Sequence, residues 1–100
     1  MNAVRRRVEK VQNIQKERFK GLGILFNSQM GPDETEKFCR LDEDVRDWFA
    51  GALSSLDISA RSYFKILKVA RTIADMDGLA DIGRDHLAEA IQLNDSEIMG

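Results

Sequence analysis

Apolar and polar residues along this chain recur with the period of a helix, and the pattern breaks only at glycines, the single proline and short capping sequences. From residue 3 to about 18, Val4, Val8, Val11, Ile14 and Gln15 fall on one face and charges on the others. That spacing predicts an amphipathic helix with a narrow apolar stripe, a packing arm more than a core helix. Residues 21–32, GLGILFNSQMGP, contain three glycines and the proline and read as a loop. Its Leu22, Ile24, Leu25, Phe26 and Met30 predict that it folds back over the body. PDETEKFC then opens a short helix, with Asp33 as cap and Glu36 three residues on in the manner of a capping box. Asp42 caps the next helix, whose buried stripe is Val45, Trp48, Phe49, Ala52 and Leu53. Asp42, Glu43 and Asp44 suit its electropositive N-terminal end.

The strongest helical pattern is SARSYFKILKVARTIADMDG, residues 59–78, with Ser59 as cap and Gly78 after its end. At 100° per residue, Tyr63, Ile66, Leu67, Ala70, Ile73 and Ala74 gather on one side, widened by Val69 and Met76. Arg61, Lys65, Lys68 and Thr72 line the other side with Asp75 below them, and Arg71 stands at the border. A final helix, GRDHLAEAIQL, turns Leu87, Ala90 and Ile91 inward. Ile58 and Ile82 precede the last two helices at similar positions, which suggests a one- or two-residue parallel bridge. The expected fold is all-α, one domain of four to five helices. It divides into a basic helical arm at 1–20, an apolar loop at 21–32, a helical body at 33–93 and a fraying tail at 94–100.

Charge changes this picture at one place. Residues 1–20 carry seven cations against Glu9 and Glu17, a net +5, whereas the whole 100-residue chain is −2 and the remainder therefore −7. A basic arm on an acidic body touches nucleic acid or docks on an acidic neighbour. No apolar run approaches the ~18 residues of a membrane span, and MNAVRRRVEK lacks the apolar core of a secretion signal. The single Cys39 cannot form an internal disulfide, which fits a reducing cytosol, so the expected location is cytoplasmic. His86 and Cys39 are too few for a tetrahedral metal site. Arg40 beside Cys39 could lower its pKa, but a small buried thiol is the expected role, and His86 is expected at the surface or half-buried. There is no GxxxxGK[ST] phosphate loop and no serine with a placed base, so no catalytic residue and no metal site is assigned. Taken as it stands, the chain is not an enzyme.

Arg61 is the residue that a purely structural reading leaves over. It sits on the first turn of its helix, where the macrodipole disfavours a cation. Arginine is the side chain suited to bidentate phosphate contact, although Asp57 is near enough in sequence to pair with it. Lys65 and Lys68 read more simply as the solvated face of a core helix.

The run SAR-x-x-x-[RK]-I-L-[KR]-V-A-R-T-I-A-D at 59–75, followed by IGRDHLAEAIQ, resembles the C-terminal domain of magnesium-chelatase-like AAA+ ATPases of the ComM/YifB type. Upstream, the Val8 or Val11 to Gln15 and Arg18 spacing, FNSQMG and CRLD agree, so the resemblance covers nearly the whole chain. One departure is Val11-Gln12, where the family tends to have Ala-Arg, and no role of that arginine carries over. The resemblance implies an AAA+ lid-type helical bundle that follows an ATP-binding core. It implies that Arg61 is the sensor 2 arginine reaching the γ-phosphate, with Lys65, Lys68 and Arg71 as supporting candidates. For Arg71 a structural pairing with Asp75 or Asp44 is the stronger expectation. ATP and Mg²⁺ would be held by the core of the parent protein and none by this fragment alone. The implied partners are that core, a ring of parent subunits and DNA. The alternatives are a self-standing nucleic-acid module whose Arg5, Arg6, Arg7, Lys10, Lys16 and Arg18 track a phosphate backbone, and a plain interaction domain.

Overall fold

Helix α4, Ala60–Met76, is the element around which the others are arranged. In the computed structural model, which describes the backbone of residues 2–99 and the side chains of residues 8–94, it follows α1 (Asn2–Arg18), a 3-10 turn (Asn27–Gln29), α2 (Pro32–Phe38) and α3 (Glu43–Ser55), and precedes α5 (Arg84–Met99). Five α-helices and no strand among the described residues make the fold all-α. α4 packs along α5 and also meets α1, the 3-10 turn and α2, while α3 packs on α5. Its wide apolar face supplies Ile66, Leu67, Ala70, Ile73 and Ala74 to a core completed by Phe19, Met30, Phe49, Ile82, Leu87, Ala90 and Ile91. Tyr63 stacks on Phe49 of α3 with ring centroids 5.5 Å apart.

The ends of these helices follow from local chemistry. Ser59 accepts the Ser62 N–H at 3.3 Å, capping α4 as its sequence predicts. At the other end Gly78 adopts φ 71°, and the Leu79 and Gly78 N–H groups return to the Ala74 and Asp75 carbonyls at 2.9 and 3.0 Å. This is a Schellman turn, which needs a left-handed residue at that position. α3 ends the same way, with Asp57 at φ 53° and the Ile58 N–H bonded to Leu53 O at 3.0 Å. That bond spends the donor a bridge would use, so the expected pairing of Ile58 with Ile82 is corrected: no strand or bridge forms among the described residues.

Three further expectations are corrected. Gly31, not Asp33, is the N-cap of α2, with Pro32 at the first helical position. Glu34 closes the turn by accepting the Gly31 N–H at 3.1 Å. The tail does not leave the helix at 94, because α5 runs to Met99 and Asn94 is buried; side chains beyond 94 lie outside the described residues. The 21–32 loop folds back through Asn27 and Met30, which are buried, and Ile24, which packs against the core. Leu22, Leu25 and Phe26, however, face solvent. For Leu25 and Phe26 the reason is the turn itself: Gln29 Oε1 accepts their backbone N–H groups, and this curl points their side chains outward.

Candidate functional site

Both ends of α4 carry an arginine, and the fold uses them differently. At the C-terminal end, Asp75 is 1% exposed. Arg18 of α1 meets both of its oxygens at 2.7 and 2.8 Å, Arg71 Nε reaches Oδ1 at 3.1 Å and Asn27 Nδ2 reaches Oδ2 at 3.0 Å, four hydrogen bonds to one carboxylate. Arg18 also donates to Asn27 Oδ1 at 2.8 Å, and Asn27 Nδ2 to Thr72 Oγ1 at 3.0 Å. The Asn27 backbone N–H is taken by Gln15 Oε1 at 3.0 Å. Arg71 completes its fork on the Ala80 and Leu79 carbonyls, both at 2.7 Å. One carboxylate thus ties α1, the 3-10 turn, α4 and the α4–α5 connection together. Burial pushes the Asp75 carboxyl up, yet the hydrogen bonds from Arg18 and Asn27 and the charges of Arg18 and Arg71 outweigh it and hold it below the usual carboxylate range.

The N-terminal end is the reverse. Arg61 is exposed and makes no hydrogen bond or ion pair with any other described residue, Asp57 included. It lines a groove of about 600 Å³ between α4 and the segment from the 3-10 turn into α2. Lys65, exposed, and Lys68, half-buried, line the same groove over a floor that includes Met30, Pro32, Phe64 and Val69. Cations placed on one face by helical spacing alone are therefore brought together along one concave surface.

The remaining candidates sort accordingly. Arg71 is buried in the Asp75 cluster, paired with Asp75 and not with Asp44. Arg18 belongs to that cluster too, which corrects its place in an outward row of phosphate-tracking cations. Lys16 is exposed, and Lys10 extends toward the end of α4, its Nζ 3.0 Å from where a Cβ on Gly78 would lie. The side chains of Arg5, Arg6 and Arg7 lie outside the described residues. His86 is corrected from surface or half-buried to buried. Its Nδ1 accepts the Gly83 N–H at 2.9 Å, capping α5, and its Nε2 lies 3.0 Å from Asp77 Oδ2. Cys39 is buried, and burial pushes its thiol up to about 11 against the lowering effect of Arg71 and Arg18. The low-pKa alternative raised by Arg40 is not realised. Among the described residues no three His, Cys, Asp or Glu side chains cluster to hold a metal ion, and no helix is long and apolar enough to cross a membrane.

Sequence reasoning misses Asn27 as a partner of Asp75. The available signal is an asparagine inside an otherwise apolar loop, since a polar side chain carried into a core brings a partner with it.

Comparison with known proteins finds curated relatives across most of the chain. The competence protein ComM of Haemophilus influenzae is 42% identical over 88 residues, 88% of this chain and 16% of that protein. The uncharacterized protein YifB of Escherichia coli is 37% identical over 83 residues, 83% of this chain and again 16% of that protein. YifB of Salmonella typhimurium is 39% identical over 66 residues, 66% of this chain and 13% of that protein. The chain thus spans about a sixth of the curated relatives it matches. No solved structure matches it significantly. The family model described as magnesium chelatase, subunit ChlI C-terminal, matches residues 1–94. With nearly the whole length covered, this chain belongs to that family, the C-terminal domain of magnesium-chelatase-like proteins of the ComM type.

Proposed function

We propose that the domain is the nucleotide-sensing lid of a magnesium-chelatase-like AAA+ ATPase, with Arg61 as the sensor that meets the terminal phosphate of ATP bound to the core of the parent protein. The observation that carries the reading is the exposed Arg61, without a partner among the described residues, on a helix turn whose dipole opposes it. A cation kept where it does not help its own fold suits an anion supplied from outside, and a guanidinium aimed at developing phosphoryl charge stabilises the transition state. Lys65 and Lys68 share its groove and face the same neighbour. The Asp75 cluster makes α1, α4 and the intervening turn one body. An Arg61–phosphate pairing that forms with ATP and breaks with ADP therefore moves the domain as a unit. In this reading the core holds ATP and Mg²⁺, parent subunits form a ring, and the parent acts on DNA, in keeping with the competence role named for the Haemophilus relative.

The test is Arg61→Ala in the full-length parent. ATP turnover is expected to fall by about 100-fold, the scale of losing one donor to transition-state charge, with the melting temperature of the domain unchanged. Undiminished turnover overturns the reading. Reversing both charges, Lys65→Glu with Lys68→Glu, is expected to give a smaller loss, and full activity in that variant removes the two lysines from the site while leaving Arg61 in it.

A further inference from the structure

A second cleft, of about 520 Å³, opens at the opposite end of α4 from Arg61. Its walls come from α1, α2 and the α4–α5 connection. Arg61 and Asp75 are about 21 Å apart along the helix axis at 1.5 Å per residue, so the two places do not share one phosphate. The ionisable residues lining the cleft are Arg18, Lys37, Arg40, Arg71, Asp75 and Asp81. Four cations meet two acids, a local charge of +2 on a chain whose total is −2.

The distribution of that charge matters more than its sum. Two guanidiniums share the single carboxylate of Asp75 in the floor, which leaves a buried excess of one positive charge. Each guanidinium has five N–H donors. Asp75, Asn27 and the two backbone carbonyls take three on Arg18 and three on Arg71, so two on each have no partner among the described residues. The Leu79 and Ala80 carbonyls, which would repel an anion, are taken up by Arg71. At the rim Lys37 and Arg40 are exposed and not ion-paired within the described residues, although Asp33 and Glu36 line the adjoining groove. Among the described residues, Asp81 is the one acid of the cleft outside the cluster.

We infer that this cleft binds a phosphate group, held by Lys37 and Arg40 at the rim and drawn in by the uncompensated charge of the Arg18–Asp75–Arg71 floor. The phosphate is either free or part of a nucleic-acid backbone. A compact dianion or phosphodiester matches a concave site with several convergent N–H donors and, among the described residues, no cluster of metal-ligating side chains.

The test is a titration of the ¹⁵N-labelled 100-residue chain with sodium phosphate at constant ionic strength. The signals followed are the amides of residues 78–81 and the Nε–H groups of Arg18 and Arg71. Saturable shifts there are expected. Lys37→Ala with Arg40→Ala, both exposed and harmless to the fold, weakens them about tenfold. Asp81→Asn tightens binding about threefold, a gain that misfolding cannot imitate. Arg61→Ala leaves the titration unchanged, which separates this site from the sensor reading. Shifts that do not saturate, that survive the double substitution or that vanish with Arg61→Ala overturn the inference. A parallel titration with a short single-stranded deoxyoligonucleotide assigns the source. The same signals moving with higher affinity and a steep salt dependence identify a nucleic-acid backbone, and no effect beside a saturating phosphate titration identifies a free phosphate.

Discussion

Arg61 and Arg71 lie ten positions apart on one helix, and the fold treats them as opposites. Arg71 is 3% exposed, and each of its guanidinium nitrogens has an acceptor in Asp75, Ala80 or Leu79. Arg61 is exposed and has none among the described residues. Their sequence settings differ by little, a basic residue beside alanine in each case, but their places on the helix differ. Arg71 points at the edge of the apolar face, where its stem is covered and its head meets an acid one turn further on. Arg61 sits in the first turn on the outer face, with no acid below it. Charge consumed inside a fold is stabilising and, toward the nucleotide, silent. Charge left unpaired at an unfavourable helix end is the kind that implies a partner.

The largest expected effect lies at the silent end. Asp75→Ala removes the only carboxylate that Arg18 and Arg71 share among the described residues and leaves two largely buried guanidiniums without it. Breaking a buried ion pair from one side costs about 3–5 kcal/mol, a large part of the stability of a domain this size. Urea denaturation of the variant is expected to show an unfolding free energy lower by that amount, with the midpoint falling accordingly, together with loosening of α1, which the Arg18 contact anchors. Stability within about 0.5 kcal/mol of the parent chain would mean the cluster is ornamental, and the contrast between the two arginines would lose its structural half.

A milder perturbation of the same cluster is acid. The Asp75 carboxyl titrates below its unfolded value of 3.8, so the folded state keeps it ionised where the unfolded chain has begun to bind a proton. Its contribution is therefore present in full above that unfolded value and is lost as pH falls through the lower folded one. The difference in unfolding free energy between the native chain and Asp75→Asn is expected to be constant near neutrality and to shrink progressively below about pH 4. A difference that stays flat to the lowest accessible pH would assign acid sensitivity to the surface carboxylates instead.

The helices of this domain are legible because their signals are local. The stripe in α4, its serine cap and the glycine behind it are each decided within a few residues, and the structure follows them except at Met76. The pattern adds Met76 to the apolar face, whereas it is 50% exposed at the helix end. What escapes is decided across the chain. Asp42 caps α3 by position alone, without a side-chain bond, as a sequence rule cannot distinguish. Asp33 loses the cap of α2 to Gly31 because Pro32 fits the first helical position so well that the helix starts ahead of it. Arg18 reads as part of the basic arm because Lys16 and Lys20 stand two positions to either side of it. Its partner Asp75 is 57 positions away, and only the packing of α1 on α4 brings them together. The exposed Leu25 and Phe26 belong to the same class, since hydrophobicity predicts burial and the turn around Gln29 decides otherwise. Of the groove residues, spacing places Arg61, Lys65 and Lys68 on one face. That the face is concave depends on the 3-10 turn and α2, which no single helix pattern contains.

The smallest expected effect is the most discriminating. Arg61→Ala removes a cation from the first turn of α4, where it opposes the dipole and bonds to no other described residue. Stability of the isolated chain is expected to be unchanged or to rise by about 0.3 kcal/mol at low ionic strength, the change fading as salt screens the dipole. Alanine is also the slightly better helix former, so no compensating loss is expected from propensity. Thermal unfolding at low and high salt measures this directly. A loss of about 1 kcal/mol or more would show that Arg61 serves its own domain after all. It would then have a silent role like that of Arg71, and the reason to look outside the chain for its partner would be gone. A neutral or favourable substitution leaves a residue that costs the fold a little and returns nothing to it. The same substitution in the full-length parent then tests the nucleotide-sensing role proposed for that residue.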